Sequence, residues 1–169
     1  RRMRGAVAHV HEAVMEGMRT GKTLGELMVE VTLPEEFELT QAHGKVSWAV
    51  KSIWEYYATW FHFNDTTELY AVPRSRVDSD ILEAAGADAL LFRAQSRLAA
   101  GEPLHALHLV NIVMNAEPSE PARAIKIATL QTLLSEAEKI GNDYELYWLR
   151  SRIGATQAVN VDMSVPNEE

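Results

Sequence analysis

His9, His11 and Glu12, in the stretch HVHE, offer side chains with which an H-x-H zinc site can begin. A helix turns about 100° per residue, so a spacing of two means about 200° of rotation and sends the two imidazoles to opposite sides. Sharing a metal would break the helix. On the helical wheel His11 falls at the edge of the apolar face near Met15, where it packs, and His9 falls with Glu12 and Glu16 on a solvated side. His105 and His108 are better placed, three residues apart on one helix face, with Glu102 as the nearby acid. A metal there still lacks ligands, and the pattern fits a helix face turned to water or to a partner. The chain has no G-x-S-x-G elbow, phosphate loop or glycine-rich nucleotide fingerprint. Its acidic residues sit at helix starts and on polar faces, where they cap and solubilise.

The elements that would carry these residues read as helices almost throughout. Met3, Val7, Val10, Val14 and Met18 recur at three and four residues, the spacing of one apolar helix face, and Gly21 follows as a stop. Thr23 and Glu26 form a T-x-x-E capping box for LGELMVEV, which closes before Pro34. Pro34 opens a short turn through EEFELTQ, and an aromatic helix runs from Val46 to His62. Residues 65–80 have turn chemistry and no helical period, so they read as a wrapping loop. From 81 to 153 the order is helix, Gly101, helix, a turn at Pro118, a long helix to Gly141 and a last helix, YELYWLRSRIG. A period near 34 residues makes this half similar to a tetratricopeptide helix pair, though with fewer than the three or so repeats a free solenoid needs. Residues 158–169 read as a polar tail or linker. The expected fold class is all-α, with a tetratricopeptide-like helix-pair second half.

Composition sets the outer limits. The 169 residues are 47% apolar and 24% charged, enough for one soluble globular domain. A formal net charge of −8 sets the chain against phosphate backbones and anionic lipid, so nucleic acid and membrane are not expected partners. Only RRMR at the N-terminus is a basic cluster. With no cysteine, the chain has no disulfide, thiolate ligand or cysteine nucleophile, and its compartment stays undecided. No apolar run approaches the roughly 20 residues of a membrane span. Beginning mid-helix without Met, the sequence reads as a segment of a longer polypeptide.

The stretch VSWAVKSIWEYYATWF, residues 46–61, carries six aromatic rings. On a helix Val46, Val50, Ile53, Trp54, Tyr57, Trp60 and Phe61 share one broad arc, which predicts that most of these rings are core. Trp48 falls on the opposite side with Lys51, Ser52 and Glu55, and Tyr56 lies at the boundary. Trp48, Lys51 and Tyr56 are therefore the candidate contact residues.

Gly44, Val46, Ser47, Lys51, Tyr57, Trp60, Phe61 and Asn64 together resemble the G-x-V-S-H-N-x-K-A-V-Y-Q-x-Y-L-G-W-F-D-G-N segment of the dimerisation domain of alkyl sulfatases, hydrolases of the metallo-β-lactamase superfamily. GADALLFRAQ, then Gly101, then LVNIVMNAEPSEPAR with Asn111, continue the resemblance in register. It covers about residues 3–157. It implies an all-α module that pairs two subunits, placed after a zinc-binding catalytic domain and, in typical members, before a sterol-carrier-like one. Partners implied are a second copy and the parent's catalytic domain. Zinc is expected in that absent domain and no cofactor in this chain, because the family's H-x-H-x-D-H motif is missing: His9 and His11 are followed by Glu12 and Ala13. The chain departs from the family at Trp48 and Ala49, in place of a His-Asn pair, and at His62 and Phe63, in place of an Asp-Gly turn. The parent therefore reads as a divergent hydrolase, and Trp48 as a contact to either the catalytic domain or the other subunit. An adaptor that holds peptides on its helix pairs is the alternative, and it accounts only for residues 87–140. On this reading Trp60→Ala removes core volume at a cost of roughly 3–5 kcal/mol, whereas Trp48→Ala leaves the fold intact.

Overall fold

The computed structural model describes residues 1–62 and 65–159. Among them are eight α-helices and no strand: α1 Arg2–Arg19, α2 Leu24–Glu30, α3 Val46–Ala58, α4 Asp78–Ala85, α5 Ala87–Ala99, α6 Pro103–Ala116, α7 Glu120–Ile140 and α8 Asp143–Gln157. The fold is all-α. The described residues divide into two compact units, one of Arg1–Pro73 with Ile140–Tyr144, the other of Arg74–Lys139 with residues 145–159.

The first unit is built from α1, α2 and α3. Ala6, Val10, Val14 and Gly17 are the buried residues of α1, a narrow stripe of mostly small side chains. The Leu27 side chain of α2 occupies the space that a β-carbon on Gly17 would take, so it lies directly against the α1 backbone. Reversal between them is local: Gly21 takes φ 78°, and the Lys22 N–H donates to the Gly17 carbonyl at 2.9 Å. The expected capping box then opens α2, with the Glu26 carboxylate accepting from the Thr23 N–H at 2.7 Å and the Thr23 hydroxyl accepting from the Glu26 N–H at 3.3 Å. The Thr23 N–H, and after it the Thr23 hydroxyl, which donates to the same carboxylate at 2.8 Å, hold the Glu26 carboxyl below its ordinary range. Pro34 precedes a single 3₁₀ turn, Glu35–Phe37, as the sequence implies. Val50 and Trp54 of α3 close the core with Val10, Val14, Leu24 and Leu27. Residues 140–144 are tied in by polar bonds. Buried Asn142 donates from Nδ2 to the Gln41 carbonyl at 2.5 Å, and the Asp143 N–H donates to the Ala42 carbonyl at 2.8 Å.

Two expectations fail in this unit. Met3 and Val7 are 62% and 56% exposed, because α1 buries its small-residue stripe and leaves the larger side chains at that end outside. The aromatic helix stops at Ala58, four residues before His62, where Thr59 takes φ 62° and the chain leaves the helical region. A β-branched residue at positive φ is sterically strained, so the break is a definite feature. Trp60 therefore never joins the helical arc and is 63% exposed, and Tyr57 is exposed too, while Val46, Ile53 and Phe61 are half-buried. Trp54, 5% exposed, is the one core ring of the stretch among the described residues, and its Nε1 has no hydrogen-bond partner there.

In the second unit α4, α5, α6 and the start of α7 share a core of Leu90, Leu91, Ala94, Val110, Val113, Met114, Ala122 and Ile125, with Ile81 and Leu82 packed on it. A second cluster joins α7 to α8 through Leu130, Ala137 and Leu149. The order read from sequence between Ala87 and Gly141 holds, with Gly101 at φ 76° and Pro103 in the first turn of α6. The stretch read as a plain loop, 65–80, instead contains 3₁₀ turns at Thr66–Leu69 and Arg74–Val77 and the first turn of α4. Asp78 explains that early start. Nearly buried, it accepts from Asn115 Nδ2 at 2.8 Å, a tertiary bond that no local periodicity announces.

Trp54→Ala is expected to cost about 3–5 kcal/mol in urea unfolding, whereas Trp60→Ala costs under about 1 kcal/mol. Asn142→Ala removes the buried donor to the half-buried Gln41 carbonyl and should cost about 1–3 kcal/mol in the same measurement. Because the folded-state pKa of Glu26 is lowered from 4.5, its contribution is complete above that value and is lost as the pH falls through the lowered one. The stability difference between the wild type and Glu26→Gln should accordingly be present at pH 7 and vanish in acid, as read from unfolding curves at stepped pH.

Candidate functional site

The histidines that opened the sequence reading are each engaged by a different neighbour. His9 Nε2 donates to the Thr32 carbonyl at 3.1 Å and its ring lies 6.4 Å from Phe37, so it is half-buried against the α2 side, not solvated. His11 Nε2 is hydrogen-bonded to the Tyr57 hydroxyl at 2.7 Å, which ties α1 to α3. His105 and His108 are exposed on α6, and Glu102 beside them pairs with Arg97 at 2.6 Å. Among the described residues no three His, Asp or Glu side chains converge as a metal site.

One polar constellation escaped sequence reading. His62 lies between two carboxylates, with Nε2 3.3 Å from Glu55 and Nδ1 3.4 Å from Glu68, while its N–H donates to Glu68 at 2.7 Å. The break at Thr59 folds the chain back so that a helix residue, a loop residue and a 3₁₀ residue meet. Spacings of seven and six across a helix end carry no periodic signal. Lacking a nucleophile, the group serves as a clasp on the end of α3.

What the surface chiefly offers is apolar. Trp48 is 38% exposed with Lys45 Nζ 5.8 Å from its ring centroid, Lys51 Nζ lies 3.8 Å from Glu55, and Tyr56 is 79% exposed, stacked edge-on at 5.0 Å on Tyr57. These three candidate contact residues lie on one helix but spread around it. Lys51 and Trp48 flank one side of the buried stripe and Tyr56 faces outward. Of the other motif positions, Gly44 and Ser47 are half-buried, Trp60 and Phe61 pack ring to ring at 5.9 Å, and Asn64 lies outside the described residues. Asn111 sits half-buried on α6, its Oδ1 without a partner among the described residues. Between α1 and α3 a groove of about 400 Å³ is lined by Met3, Val7, Val10, Val46 and Ile53, residues that helical spacing places on the apolar faces of the two helices. In the second unit Tyr147 and Trp148 are exposed on α8, and the Arg152 guanidinium lies 5.4 Å from the Trp148 ring centroid. Nearby Lys126 is held below the ordinary lysine range, first by burial and then by the Arg152 charge.

Such surfaces bind other apolar surfaces. No helix among the described residues is long and apolar enough to cross a membrane. No curated protein matches the chain. Among solved structures, a double mutant of the sec-alkyl sulfatase PisA1 superposes with a TM-score of 0.80 at 22% identity, covering 92% of this chain and 25% of that one. The stereoselective inverting sec-alkylsulfatase Pisa1 from Pseudomonas sp. gives 0.75, also at 22% identity, over 90% of this chain and 25% of that one. The chain thus spans about a quarter of the length of these structures, and at such identity the likeness is one of fold. The family model described as alkyl sulfatase dimerisation matches residues 23–149, three-quarters of the chain, and the chain belongs to that family.

Proposed function

We propose that this chain is the homodimerisation module of a larger hydrolase resembling alkyl sulfatases, with no chemistry of its own. The family match over residues 23–149 carries the reading. The exposed apolar groups support it, since Tyr56, Trp60, Met3 and Val7 on the first unit, and Tyr147 and Trp148 on the second, are rings and aliphatics of the kind that anchor interfaces. An obligate contact of this type buries on the order of 2,000 Å² or more. Trp48, Lys51 and Tyr56 are the proposed contact residues of α3, toward the second subunit or the parent's catalytic domain.

Zinc, the metal that the resemblance implies, does not fit the described residues: His9 and His11 are bonded to different elements and no third ligand converges on either. It belongs, on this proposal, to a catalytic domain elsewhere in the parent, whose substrate would be a sulfate ester or a related one.

Light scattering after size exclusion tests the module directly. Over a hundredfold range of concentration the expected mass is constant near twice 18.9 kDa. A constant monomer would overturn the reading and favour the peptide-holding adaptor. Trp48→Ala should leave the urea midpoint within about 0.5 kcal/mol of wild type, since its ring fills no core volume.

A further inference from the structure

The outer stripe of α1 has a charge order that is complementary to its own reverse. Arg1 and Arg4 lie toward its start, Ala8 at its middle, and Glu12 and Glu16 toward its end, with Arg4, Ala8 and Glu12 following one another every four residues on the exposed face. Neither Arg4 nor Glu12 has an ion-pair partner among the described residues, whereas Glu16 pairs with Arg19 in its own helix. Val7 lies about 100° round the helix from Ala8, and together with Met3, on the side of buried Val10, and Ile53 it lines two adjoining apolar hollows of about 400 and 710 Å³.

We propose that this face of α1 pairs with the same face of a second copy, antiparallel, about a two-fold axis at Ala8. The inference rests on the homodimer reading and adds to it, because α1 ends at Arg19, before the residues that the dimerisation model matches. A two-fold interface must be self-complementary, and this stripe meets the condition in one direction only. Antiparallel, Arg4 of each copy faces Glu12 of the other and Arg1 faces the Met15–Glu16 end. Parallel, each charge would face its like. Ala8 at the crossing lets two helix axes approach to about 8–10 Å. A second copy is thus favoured over a foreign helix, which would have no need of the reversal.

The absence of cysteine makes the axis measurable. In the full 169-residue chain, Ala8→Cys is expected to form a disulfide-linked dimer under mild oxidation, since residues on a two-fold axis between close helices reach the roughly 4.4–6.8 Å Cα separation a disulfide needs. Ser135→Cys, exposed on α7, should remain unlinked over the same time. Arg4→Glu and Glu12→Arg should each raise the dimer dissociation constant about tenfold or more by setting like charges face to face, and the combined Arg4→Glu/Glu12→Arg chain should return to within about threefold of wild type. If the wild type is dimeric but both single variants keep its affinity, and Ala8→Cys links no faster than Ser135→Cys, the α1 pairing is overturned and the homodimer reading survives. Loss of affinity in both single variants without recovery in the double overturns the antiparallel arrangement. A monomeric wild type overturns both.

Discussion

Leu27 of α2 rests against Gly17 of α1, its side chain filling the space that a β-carbon there would take, and Val50 and Trp54 of α3 close the same core. What α1 itself buries is a narrow stripe of Ala6, Val10, Val14 and Gly17. Small residues bury little area each, so the contact gains its stability from density and not from large side chains. The consequence is a surplus. Met3 and Val7, together with the rings beyond the α3 core line, have no place inside a unit this tightly closed, and they form the groove and the exposed faces.

The strained backbone at Thr59 completes the division. Had α3 continued to His62, Trp60 and Phe61 would extend the arc of Val50 and Trp54. By ending the helix at Ala58 the chain turns Trp60 outward and returns His62 toward Glu55 and Glu68. Strain of this kind persists where surrounding contacts over-determine it, and the His62 clasp supplies such contacts. One torsion angle thus moves ring surface from the core line to the outside of the unit.

The second unit is held differently. Its core is a run of Leu, Val and Ala contacts between consecutive helices, sharpened by the bond from Asn115 to nearly buried Asp78. Short connections and local contacts of this kind favour fast, robust folding. A stable scaffold carrying apolar faces suits a family whose task is to join subunits.

Much of this was legible in the residues themselves. The capping box at Thr23 and Glu26, the stop at Gly21 and the helix order from Ala87 to Gly141 all depend on neighbours within a few positions, and local chemistry decides them. What the sequence left open was which side of each amphipathic helix is covered. Periodicity put Met3, Val7, Tyr57 and Trp60 inside, and tertiary packing put them outside, because small residues on α1 and the break at Thr59 moved the buried line. His62 between its two carboxylates, Asp78 under Asn115, and Asn142 bonded to Gln41 across 101 residues were equally invisible. Such contacts join positions that no helical period relates, and only the folded chain brings them within bonding distance.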